Sequence, residues 1–172
     1  MSEKIKIIFI SHNFHFLNNI INNLDRNKYE ITTREILKIK YTSELLKIIG
    51  DNQIVWVEWL LIQACLLSQI QDKKFKLICR LHSYEYFYKG NIHIKSTNFL
   101  NIDKLVLVND RCKHKLIQNF NIPESKIITI PILLLNILIK KIGMVGINSL
   151  TDKGIEKIYQ IDPSYKLHIK GG

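Results

Sequence analysis

The stretch Lys4-Ile-Lys-Ile-Ile-Phe-Ile-Ser-His-Asn-Phe-His-Phe-Leu-Asn-Asn-Ile-Ile-Asn-Asn-Leu24 decides how the rest of the chain is read. Residues 4–10 are a nearly continuous apolar run rich in β-branched side chains, the composition of a strand buried on both faces. Ser11-His12-Asn13 breaks that run. Apolar residues then recur at Phe14, Leu17, Ile20, Ile21 and Leu24, which is a helical spacing. A buried strand followed at once by an amphipathic helix predicts an α/β fold.

The same alternation continues along the chain. Strands are predicted at 29–37, 53–57, 75–81, 104–108 and 126–130. Helices are predicted at 43–49, 60–70 and 110–120, with Thr42 or Ser43 as the cap of the first, Gly50 ending it, and Asp110 capping the last. Between the fourth and fifth strands lies a loop rich in Tyr and His. The expected architecture is a Rossmann-like, mostly parallel sheet with helices on both faces, spanning residues 1–131. Residues 132–141 read as a junction. Residues 142–172 then open a second α/β unit, and their length is short of the roughly 50 residues a domain needs for its own core. The expectation is therefore one whole domain and an incomplete second one.

Composition narrows the partners. The net charge of +10 over 172 residues favours an anionic partner, such as a nucleotide phosphate or a phospholipid surface, or else reflects a lysine-rich solvated face. Cys65, Cys79 and Cys112 lie far apart with no paired spacing, which argues against a disulfide framework or a zinc site. No apolar run reaches the roughly 20 residues of a membrane span, and no signal peptide precedes the first strand, so a cytoplasmic location is expected. The sequence has no dinucleotide fingerprint, Walker loop, nucleophile elbow or Asp-x-Asp pair, and no nucleic-acid motif.

In an open parallel sheet, ligands bind outside the carboxyl ends of the strands. The residues expected there are Ser11, His12, Asn13, Glu58, Trp59, Arg80, His82, Ser83, Asn109 and Asp110. A carboxylate directly after an apolar strand, as at Glu58, is either at the open end or buried and paired. Trp59 is either core or ligand surface, and His12 either enters a helix or meets a ligand. Arg80 and His82 alternate along a strand end and so share a face, putting a cation beside an imidazole at the expected cleft mouth.

Four stretches together resemble the N-terminal domain of GT-B glycosyltransferases, in the broad family 4 type used for surface polysaccharides. They are Asp51-Asn-Gln-Ile-Val-Trp-Val-Glu-Trp59, Lys76-Leu-Ile-Cys-Arg-Leu-His82, Ile102-Asp-Lys-Leu-Val-Leu-Val-Asn109 and Asn121-Ile-Pro-Glu-Ser-Lys-Ile-Ile-Thr-Ile-Pro131. Lys141-Ile-Gly-Met-Val-Gly146 and Asp152-Lys-Gly154 resemble the first strand and turn of the family's nucleotide-sugar domain. The resemblance implies retaining transfer of a sugar from a nucleotide-diphosphate donor to a surface-glycan or lipid-linked acceptor, without a metal or other cofactor. It implies catalytic roles for His82 and Glu58, and acceptor binding by Ser11, His12, Asn13, Trp59 and Arg80. Donor binding would fall to Gly146 and Lys153. Where the family carries an Arg after the donor glycine this chain has Ile147, and the family's later pair of glutamates and its nucleotide pocket would lie past Gly172, so this is expected to be a truncated or partial form that binds donor weakly and is inactive by itself. A different reading is a non-catalytic basic module for an anionic membrane surface or a partner transferase, through Lys73-Lys-Phe-Lys76 and Arg111-Cys-Lys-His-Lys115.

Overall fold

The computed structural model describes residues 3–87 and 92–130. Six strands form a single sheet: β1 (Ile5–Ser11), β2 (Tyr29–Glu35), β3 (Ile54–Glu58), β4 (Lys76–Leu81), β5 (Lys104–Leu107) and β6 (Ile127–Thr129). Their order is β2-β1-β3-β4-β5-β6, and each neighbouring pair is parallel. The expected Rossmann-like α/β class holds, and the sheet is parallel throughout rather than mostly so. The expected junction and second unit lie outside the described residues.

Period-two alternation divides the sheet into two unequal faces. On one, Ile7, Phe9, Ile54, Trp56, Ile78 and Val106 pack with α1 (Asn18–Asn23) through Leu17, Ile20, Ile21 and Leu24. On the other, Ile8, Ile10, Val55, Val57, Leu77, Cys79, Leu105 and Leu107 meet the remaining helices. These are α2 (Thr42–Ile49), α3 (Ile62–Ser68), α4 (Ser83–Phe87), α5 (Ile92–Ser96) and α6 (Lys113–Phe120). All three cysteines are buried and free. Among the described residues no helix is long and apolar enough to cross a membrane.

Local chemistry departs from the sequence expectation at four places. The helix expected from Phe14 begins at Asn18, because Ser11 and Asn13 bond within their own loop and hold residues 11–15 out of the helix. The residue before α2 is Tyr41, and neither Thr42 nor Ser43 supplies a capping side chain. The turn before α6 is capped by Asn109, whose side chain accepts from the Arg111 amide at 3.0 Å, rather than by Asp110. The Tyr- and His-rich segment folds into two short helices, α4 (Ser83–Phe87) and α5.

Gly50 ends α2 at φ 57°, its amide returning to the Leu46 carbonyl at 3.0 Å. A Cβ there would meet no atom within 4 Å, so the backbone conformation alone demands glycine. Gly50→Ala is therefore expected to lose about 1–3 kcal/mol of stability from backbone strain. Urea denaturation checks this, and an unchanged midpoint would mean the turn relaxes freely.

Candidate functional site

The strand order reverses beside β1: β2 lies on one side of it and β3 on the other. That is the switch point of an open parallel sheet, where the loops leaving neighbouring strands diverge and open a crevice at the carboxyl ends. The loops after β1, β3 and β4 meet there.

Glu58 ends β3 directly opposite Arg80 of β4. Both side chains are fully buried. Glu58 Oε1 accepts from Arg80 Nη1 at 3.0 Å and from His82 Nε2 at 2.8 Å. Its Oε2 accepts from Trp56 Nε1 at 3.0 Å. A carboxylate has only acceptors to offer, so His82 donates through Nε2, and in the neutral ring Nδ1 is then the acceptor nitrogen. Burial pulls the Arg80 pKa down, and the adjacent Glu58 pushes it back up. Arg80 Nε and Nη2 are buried with no hydrogen-bond partner.

Above this ion pair lies an aromatic cluster. Trp59, the residue after β3, has φ 76°, a left-handed conformation that costs a non-glycine residue about 1–3 kcal/mol. This turn brings its indole flat onto the His82 imidazole, with ring centroids 3.9 Å apart and planes 15° off parallel. Phe16 stands edge-on to Trp59 at 5.8 Å and tilted to His82 at 5.3 Å. His12 lies 5.1 Å from Trp59. Two nitrogens of the cluster, His12 Nδ1 and Trp59 Nε1, are buried and unpartnered.

A second buried acid underlies the cluster. Glu85, on α4, accepts from the Leu60 amide at 2.8 Å through Oε1 and from the His82 amide at 2.9 Å through Oε2. Burial raises its pKa to about 7, against the lowering effect of those two amides.

The expected site residues thus separate by depth. His12, Trp59 and His82 come together, with Glu58 and Arg80 beneath them. The expectation that Arg80 stands at the cleft mouth is corrected: it has no exposed surface, because its guanidinium is the counter-charge of buried Glu58. Of the two positions open to Glu58, it takes the buried and paired one. Ser11 is buried, and its hydroxyl bonds both the amide (3.1 Å) and the carbonyl of Asn13. Asn13 in turn accepts from the His15 amide at 3.3 Å, so both residues shape the loop itself. Asn109 Nδ2 reaches Ser83 Oγ at 2.6 Å. Gly146 and Lys153 lie outside the described residues. Sequence reading missed Phe16 and Glu85. Phe16 carried a signal, as an aromatic lying off the apolar helical stripe. Glu85 carried none, since its partners are backbone amides.

Removing the acid should strand a buried cation. Glu58→Ala is expected to cost about 3–5 kcal/mol in urea denaturation. The double variant Glu58→Leu/Arg80→Met should recover most of that loss, because it removes both charges and retains volume. Equal stability of Glu58→Ala and the wild type would show that Arg80 finds other compensation.

Comparisons with protein-family models, with curated proteins and with solved structures return no match for this chain.

Proposed function

We propose that this chain belongs to a glycosyltransferase of the GT-B type, which moves a sugar from a nucleotide-diphosphate donor to a hydroxyl of a surface-glycan or lipid-linked acceptor. The observation that carries the reading is the Trp59–His82 stack lying over the Glu58–Arg80 pair at the switch point of the sheet. A flat aromatic surface suits the C–H face of a pyranose ring, and nearby nitrogens suit its hydroxyls. Trp59 Nε1 and His12 Nδ1 are of that kind.

In this reading His82 is the residue that touches substrate. Its Nε2 proton is held by Glu58, which leaves Nδ1 to accept from a hydroxyl. Glu58 acts through His82, setting its tautomer and ring orientation, and is a positioning residue. Arg80 supplies the counter-charge to Glu58 in the interior. Transfer joins the acceptor oxygen to the anomeric carbon while the bond to the diphosphate breaks; the electron pair leaves with the phosphate oxygen, which takes up the proton of the acceptor hydroxyl. The resemblance assigns the cradle of that diphosphate to Gly146 and Lys153.

The test is saturation-transfer NMR of the chain with methyl glycosides, and with UDP-glucose, GDP-mannose and dTDP-glucose for the donor side. Contact with a methyl glycoside is expected, weakened about tenfold or more in His82→Ala, with donor contact weak. Absence of any glycoside contact would reject the reading.

A second reading, association with an anionic membrane surface, is favoured by one feature at the opposite end of the sheet. There Lys73, Lys76, Lys104 and Lys126 gather around Asp103, which pairs with the first two at 2.6 and 3.3 Å. Burial, and then Lys73, Lys104 and Lys76, pull the Lys126 pKa down against the pull of Asp103. The other expected basic run is weaker, since Lys113 is paired with Glu124 at 2.8 Å. Sedimentation with phosphatidylglycerol vesicles is expected to fall steeply with salt if this end binds membranes. Equal sedimentation with phosphatidylcholine vesicles would dismiss it.

A further inference from the structure

Two loops must hold a fixed relation for Trp59 and His82 to stack. The first leaves β3 and carries Trp59 in its left-handed conformation, followed by Leu60. The second leaves β4 and carries His82. The buried Glu85 carboxylate ties the two together, one oxygen on the Leu60 amide and the other on the His82 amide. Its own amide bonds back to the His82 carbonyl at 2.9 Å, which fixes α4 to the same loop.

We infer that Glu85 is a positioning residue that sets the Trp59–His82 stack by clamping the backbone amides on both sides of it. The geometry is specific to a carboxylate. Each oxygen meets an N–H donor, and a glutamine in its place would turn an NH2 group against one of the two amides. An aspartate is one methylene shorter. Trp59 holds φ 76° although nothing in its own residue type favours that, so the surroundings must impose it, and the Leu60 amide is the next link of the chain.

Clamp and ion pair are separate devices on one floor. Glu58 grips the His82 ring, whereas Glu85 grips the His82 backbone. The groups that bear on the Glu85 charge are Glu58 on β3, His82 after β4 and Cys79 on β4, with exposed Asp110 and Arg111 on the turn packed against α4. Because burial raises the folded-state pKa of Glu85 above its unfolded value, its contribution to stability is full below the ordinary glutamate range. That contribution is lost as the pH rises through about 7. The carboxylate thus changes charge within the range where imidazoles titrate, and both clamped amides report on it.

The consequence for ligand binding rests on the proposed sugar-transfer reading; the clamp itself does not. The experiment uses the full chain labelled with 5-fluorotryptophan, whose Trp56 and Trp59 fluorine resonances are assigned with Trp59→Phe, together with amide proton shifts of Leu60 and His82. In the wild type the two amides are expected to titrate together with a midpoint near 7, and this common titration should disappear in Glu85→Gln. The same variant should move the Trp59 fluorine resonance and leave that of Trp56 in place. An unmoved Trp59 resonance, or a common titration that persists in Glu85→Gln, would overturn the assignment. Should the variant fail to fold, Glu85→Asp takes its place: its shorter side chain reaches only one of the two amides, and a Trp59 resonance left unmoved by it would reject the clamp. Methyl glycoside binding separates the two claims. Glu85→Gln is expected to weaken it about tenfold or more. A moved Trp59 resonance without wild-type glycoside binding would uphold the clamp and reject the sugar reading.

Discussion

The structure at the carboxyl end of the sheet depends on the buried carboxylate of Glu58. Taken out of water without partners, such a group would cost several kcal/mol or remain protonated. Here three N–H donors surround it, from a guanidinium, an imidazole and an indole. Those donors sit on β3, on β4 and just beyond β4, so the ion pair depends on the parallel register that sets Glu58 opposite Arg80. A slip of one residue would turn Arg80 to the other face of the sheet and leave the acid unpaired. Register and charge satisfaction are here one constraint.

Two buried acids, Glu58 and Glu85, share this end of the molecule with different partners. Glu58 faces a full positive charge, whereas Glu85 accepts from two backbone amides. A guanidinium supplies an opposite charge that favours the ionised form, while two amides supply dipoles that only partly offset burial. One acid therefore anchors a cation and an imidazole ring. The other bridges two loops, with its pKa raised to about 7. Between them His82 is held at both its ring and its backbone.

The charge of the chain is unevenly spread. Lysines gather where β4, β5 and β6 begin, around Asp103, while beneath Trp59 and His82 the charges of Glu58 and Arg80 are buried and paired. A parallel sheet makes this division natural. All its strands start at one end and finish at the other, so residues flanking strand starts and strand ends form two separate surfaces. The lysine cluster around Asp103 belongs to the first surface and the aromatic cluster to the second.

How much of this was legible in the sequence follows from the range of the forces involved. Strand and helix identities came from periodicity, because burial on one or both faces imposes a repeat of two or 3.6 residues that survives in a linear string. Ser11 to Asn13, Glu58, Trp59 and the Arg80–His82 pair could be placed at strand ends on the same ground. The strand order, and with it the switch point beside β1, needed the folded chain. So did the depth of Arg80, because whether a cation lies at a mouth or under a floor depends on what the neighbouring strand sets opposite it. The caps went astray for a related reason: Thr42, Ser43 and Asp110 are all competent cap residues, and loop geometry chose among the available side chains. Glu85 was invisible, since its partners are backbone amides that every residue but proline possesses. The sequence alone determined which elements form and which residues end the strands, through local periodicity. Which side chains meet, and which charges are buried together, was decided only by tertiary structure, because those contacts join loops far apart in the chain.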